Sequence, residues 1–98
     1  ASRYKLDIVV IQDFIHVLEY LWKAAHALHP DQPDERERWV GDRAKAVLEG
    51  HAREVAIGLR RAATRAQLRR KKREPVDKAA DYIENNQQRL RYDQALAQ

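Results

Sequence analysis

The sequence predicts a mainly α-helical fold in which four helices are preceded by one β-strand. From position 13 onward, apolar residues recur at spacings of three and four, which is typical of amphipathic helices. Residues 8–11 are instead consecutive, apolar and β-branched, and such a short run favours a strand buried on both faces of a sheet. Periodicity alone also allows a helix running in from Leu6. Because no later segment resembles a pairing strand, we expect the strand's partners to lie outside this chain.

Each helix has a recognisable boundary. The first carries Leu18 and Leu21 on its apolar face and ends at the two prolines of residues 29–33. Gly50 separates the second helix from the third. Pro75 fits the first turn of the fourth, because a helix start needs no N–H donor there. We therefore expect helices at about 13–28, 34–49, 51–71 and 75–97.

Composition excludes several classes of protein. The 98 residues suffice for one small domain, and the absence of cysteine excludes a disulfide framework and a cysteine-based zinc site. No apolar run is long enough for a membrane span or a signal peptide, so we expect a cytoplasmic protein without a membrane partner. The first residue is Ala1 rather than Met, and we expect the chain to be cut from a longer protein.

Positive charge is concentrated in one segment. Residues 53–73 contain nine basic residues against one acid, a charge of +8 within a chain of +4. Such a concentration indicates a polyanionic partner, and we expect DNA, bound through phosphate contacts. The alternative is a solvated helix surface, which charge runs often form. The candidate DNA-binding residues are Arg60, Arg61, Arg65, Arg69, Arg70, Lys71, Lys72 and Arg73.

Two stretches of the sequence resemble a known family. Residues 13–25, DFIHVLEYLWKAA, and residues 74–97, EPVDKAADYIENNQQRLRYDQALA, resemble segments of Mutator-like bacterial insertion-sequence transposases in the same order and spacing. The resemblance implies an RNase H-like core in which a DDE triad holds two divalent ions, Mg²⁺ or Mn²⁺. It also implies that residues 1–12 carry the last core strand and that residues 13–98 form a helical insertion domain preceding the catalytic glutamate.

The resemblance leaves little catalytic machinery in this chain. The family's final glutamate would follow Gln98, so we expect the fragment itself to bind no metal and to cleave no DNA. Asp13 and His16 match the Asp/Cys-x-x-His element of the family. An alternative assigns Asp13 as the second acid of the triad. A simpler alternative makes Asp13 a helix cap with His16 as its partner.

The sequence thus predicts a transposase fragment that mobilises an insertion sequence as part of its parent, with this segment acting as scaffold and DNA contact. The alternative is a stand-alone helical module for DNA binding or protein interaction. We also expect a homo-oligomer, associating through residues 6–12, because an unpaired apolar strand tends to associate. The alternative is that these residues repack as helix.

Overall fold

The computed structural model describes the backbone of residues 2–87 and the side chains of residues 12–87. Within this part of the chain every regular element is helical, which confirms the mainly α fold. The predicted fourth helix, 75–97, extends past residue 87, and its last part lies outside the described residues. The elements are helix α1 (Ser2–Leu28), helix α2 (Pro33–Leu48), helix α3 (Ala52–Arg65), a 3-10 turn (Arg70–Lys72) and helix α4 (Glu74–Asn85).

The predicted strand is replaced by the first turns of α1. Residues 6–12 lie inside this helix, and residues 2–87 contain no strand that could pair with them. A helix satisfies its backbone hydrogen bonds within the segment, whereas a strand needs a neighbour. β-Branched residues lower helix propensity only slightly, so they do not prevent this outcome. Asp13 consequently lies inside α1 and is not its N-cap. The assignment of residues 1–12 to a truncated core stays a prediction, now without the strand that motivated it.

The ends of α2 and α3 are built in the same way. After α2, Gly50 has φ 89° and donates to the carbonyl of Val47, while the next N–H donates to the carbonyl of Ala46. After α3, Gln67 has φ 56° and donates to the carbonyl of Thr64, while the next N–H donates to the carbonyl of Ala63. Both are Schellman motifs, which require a left-handed residue. The third helix therefore ends at Arg65, six residues earlier than predicted.

The four helices close into a ring around one core. Helix α1 packs against α2 and α4, and α3 packs against the same two helices. Alanines fill much of the core, which lets the helix backbones approach one another closely. The result is a compact scaffold in which α3 and α4 lie side by side. The largest fully buried side chains are Leu21, Leu59, Ile83, Val17, Val47 and Val76.

One face of α1 remains uncovered by its partner helices. Ile15 and Trp22 are 48% and 38% exposed and lie two turns apart on this face. The predicted association through residues 6–12 concerns side chains that the structure does not describe, and so it stays a prediction.

Candidate nucleic-acid interface

Basic residues gather where the chain passes from α3 to α4. Six of the eight predicted DNA-binding residues are exposed, and we call these six the basic surface. Among residues 12–87, no carboxylate forms an ion pair with any of them. Their charges are therefore available to an external anion. The basic surface consists of Arg61, Arg65, Arg69, Arg70, Lys71 and Lys72.

The seventh predicted residue, Arg60, is paired with carboxylates of α4. Its Nη2 donates to Asp81 at 2.8 Å and its Nη1 donates to Glu84 at 2.5 Å, both on α4. The hydrogen bond to Glu84, followed by the one to Asp81, raises the pKa of the guanidinium further above its ordinary value. Arg60 therefore fastens α3 to α4, and two carboxylates already compensate its charge.

The eighth predicted residue, Arg73, joins the start of α4 to the last turns of α3. Its Nε lies 3.2 Å from each carboxylate oxygen of Asp77, and its Nη1 donates to the Thr64 hydroxyl at 3.2 Å. The same hydroxyl donates to the carbonyl of Arg60 at 3.1 Å. Because the Arg73 side chain is only 30% exposed and is held by Asp77 and Thr64, we infer that it makes a structural contact.

These two clamps hold the segment that carries four cations of the basic surface, Arg69, Arg70, Lys71 and Lys72. Arg60 and Arg73 tie α3 to α4 on either side of residues 66–72. Within that segment Gln67 and Arg70 both have positive φ, 56° and 47°, which turns the chain sharply. A segment anchored at both ends presents its cations in a defined arrangement, which lowers the ordering cost of binding an anion.

Asp13 and His16 lie in different environments. Asp13 is only 7% exposed, whereas the His16 side chain is 58% exposed and its Nδ1 lies 3.8 Å from Glu19. Both line a shallow cavity with Tyr82 of α4. The burial of Asp13 could have been found from its helical spacing to Val17, which is fully buried.

The described residues contain no group of three or more histidine, cysteine or acidic side chains arranged to hold a metal ion. The two-ion site implied by the family resemblance needs several carboxylate oxygens, and Asp13 with His16 does not supply such a set. The side chains that the structure describes therefore do not fit a site for two divalent metal ions, and we assign no metal-dependent step to them.

Sequence spacing does not indicate the aromatic stack between α1 and α4. The rings of Tyr20 on α1 and Tyr82 on α4 stack with centroids 4.6 Å apart. Beside them is an open cavity that also receives Lys23 and Lys78. These residues are far apart in the chain, and only the packing of α1 against α4 brings them together.

Comparison with known proteins does not place the chain in a family. No protein-family model, curated protein or solved structure matches it. Among the described helices, none is both long and apolar enough to cross a membrane.

Proposed function

We propose that this chain is a DNA-contacting helical segment of an insertion-sequence transposase, with the basic surface binding the phosphate backbone. The observation that carries the proposal is that six exposed cations have no carboxylate partner among residues 12–87. Neighbouring cations that serve the fold itself, Arg60 and Arg73, are paired. Within residues 12–87, the cations that join the helices are thus paired with carboxylates, whereas the six cations of the basic surface are exposed to solvent.

Phosphate is the anion that we propose for this surface. Arginine presents a planar fork of donors that matches phosphate oxygens, and four of the six cations are arginines. Arg61 and Arg65 lie one turn apart on α3 and so face the same side. Such contacts position a protein on DNA without reading its sequence, and binding releases counterions. We therefore propose sequence-independent, salt-sensitive binding.

The link to a transposase is supported by the resemblance of residues 13–25 and 74–97 to the Mutator-like family. In this proposal the parent enzyme cuts and joins DNA with two divalent ions, Mg²⁺ or Mn²⁺, held outside this segment. The chain supplies scaffold and DNA contacts, and it is inactive alone. His16, exposed on α1, is available to neighbouring parts of the parent.

A second candidate is a stand-alone helical module that binds DNA or a protein without any enzymatic lineage. It is favoured by one observation, that α1 runs through the predicted strand and the described helices close around their own core. The flanking reading frame separates the two candidates. A transposase requires a glutamate-bearing helix soon after Gln98 and acidic strand ends before Ala1.

The DNA proposal is tested by measuring the affinity for a random-sequence duplex across a salt series. If all six cations contact phosphates, the slope of log K against log salt reaches about −5. Replacing Arg61, Arg65 and Arg69 by glutamine should weaken binding and make the slope shallower by about 1 for each lost contact.

A matched control removes the same charge elsewhere. Arg38, Lys45 and Arg53 are exposed and lie outside the basic surface. Replacing these three by glutamine should leave the slope nearly unchanged. Equal effects of the two triple variants would show that only net charge matters, and would overturn the assignment of the basic surface.

A further inference from the structure

An open cavity lies where α1, the 3-10 turn and the start of α4 meet. Its volume of about 470 Å³ falls within the range of ordinary ligand pockets. It is made from two stretches of the chain, residues 20–23 and 71–78, so its lining depends on the tertiary fold. We call it the Tyr20 cavity. Its lining residues are Tyr20, Lys23, Lys71, Glu74, Pro75 and Lys78.

An aromatic ring in a defined orientation forms one wall. Tyr20 stacks on Tyr82 with ring centroids 4.6 Å apart and planes inclined by 21°. The Lys23 ammonium lies 6.0 Å from the centre of the Tyr20 ring. Because Tyr82 covers one face of the Tyr20 ring, a base can stack only on the opposite face, and the stacking fixes the orientation of the ring without a further loss of side-chain freedom. Such rings are the usual platforms on which unpaired bases stack.

Positive charge surrounds this ring. Three lysines line the cavity against a single glutamate, Glu74. Its carboxylate pairs with Lys78 at 2.7 Å, and no carboxylate among residues 12–87 forms an ion pair with Lys23 or Lys71. The N-terminus of α4 also lies here and adds its partial positive charge. An anion in this cavity therefore meets several cationic groups at once.

The cavity is continuous with the basic surface. Lys71 belongs to both, since it lies in the 3-10 turn between the end of α3 and the start of α4. A DNA backbone that contacts Lys71 would therefore lie beside the cavity. An aromatic ring beside lysines fits a base with its phosphate, whereas a duplex keeps its bases stacked inside and offers no free base to the ring.

We propose that the Tyr20 cavity binds an unpaired nucleotide at the end of a DNA duplex, with its base stacked on Tyr20 and its phosphate held by the lysines. This inference rests on the proposed DNA binding by the basic surface. It adds that the protein distinguishes DNA with an unpaired nucleotide from fully paired duplex.

The test compares a blunt duplex with the same duplex carrying a three-nucleotide overhang that contains 2-aminopurine, whose fluorescence falls when the base stacks. The wild-type chain should bind the overhang duplex more tightly and quench the fluorescence. Tyr20→Leu should lose about tenfold in affinity for the overhang duplex, the value of one stacked base. Its affinity for the blunt duplex should change less than twofold.

Substitutions of the exposed residues Glu74 and Lys78 test the charge of the cavity without disturbing the core. Glu74→Gln releases Lys78 from its carboxylate and should strengthen binding of the overhang duplex, while Lys78→Gln should weaken it. Tyr20→Phe keeps the ring and should bind like the wild type. Correct folding of each variant is checked by circular dichroism.

The outcomes separate this inference from the proposal on which it rests. Equal affinity of the wild type for overhang and blunt duplexes, without quenching, overturns the cavity assignment and leaves DNA binding by the basic surface intact. Loss of blunt-duplex binding in Tyr20→Leu as large as the overhang loss also overturns it. If the basic-surface variants change nothing while overhang binding persists, the proposed function fails instead.

Discussion

Two glycines, Gly50 and Gly58, should respond in opposite ways to the same substitution. Gly58 lies inside α3, and a methyl group built on it would meet nothing within 4 Å. It therefore serves no close helix contact, and alanine is the better helix former. Gly50 follows α2 with φ 89°, where an L-residue is strained whatever the space around it.

The magnitudes follow from the backbone conformations. Gly58→Ala should stabilise the fold by about 1 kcal/mol, the difference in helix propensity between the two residues. Gly50→Ala should cost about 1–2 kcal/mol for the left-handed conformation, offset by about 0.4–1 kcal/mol from a less flexible unfolded chain. The expected net loss is about 0.5–1 kcal/mol. For a domain of this size about 1 kcal/mol shifts Tm by roughly 4 °C.

The equivalent residue after α3 provides an internal check. Gln67 occupies the left-handed position with φ 56°, so Gln67→Gly should relieve strain and raise Tm slightly. Thermal unfolding followed by circular dichroism, with urea titration as a second measure, gives all three values. A gain for Gly50→Ala, or a loss for Gly58→Ala in a correctly folded variant, would refute the argument from backbone conformation.

Three further substitutions test other contacts. Ile83→Ala removes a fully buried side chain of α4 and should cost about 2–5 kcal/mol, measured as a lower urea midpoint. Arg60→Gln removes the ion pairs between α3 and α4 and should lower the free energy of unfolding by at most about 1 kcal/mol, because both ion pairs are partly exposed. High salt screens these ion pairs, so the difference in stability between the variant and the wild type should then be smaller. The hydrogen bond from Lys78 lowers the pKa of Glu74 below its ordinary 4.5. The ion pair therefore stabilises the fold above pH 4.5, and this stabilisation is lost as the pH falls through the lowered pKa that Glu74 has in the folded state. An NMR titration should show the depressed midpoint in the wild type and a return towards 4.5 in Lys78→Gln.

The helices from residue 13 onward could be predicted because their information is local. The spacing of apolar residues identifies each helix, and the glycine and prolines between them mark the boundaries of α2 closely. The end of α3 could not be found this way. Gln67 adopts a left-handed conformation that its residue type does not indicate, so the periodic pattern predicts a helix that is six residues too long.

The N-terminal segment shows the limit of local patterns. A short β-branched run is compatible with a strand or with a buried helix, and only its surroundings decide between them. Residues 2–87 offer no strand as a partner, and residues 6–12 join the helix that follows them. The candidate DNA-binding residues show the same limit, because a count of charges cannot tell Arg60 and Arg73 from their neighbours.

Sequence alone determined the helical class, the connections that end α1 and α2, and the concentration of positive charge in residues 53–73, since each depends on residues close together in the chain. Tertiary structure decided which basic side chains pair with carboxylates within the described part of the chain. Arg60 meets its carboxylates on α4 more than twenty residues away, and Tyr20 meets the lysines of its cavity only through the packing of α1 on α4. Pairing over such separations follows from how the core packs, and no local spacing encodes it.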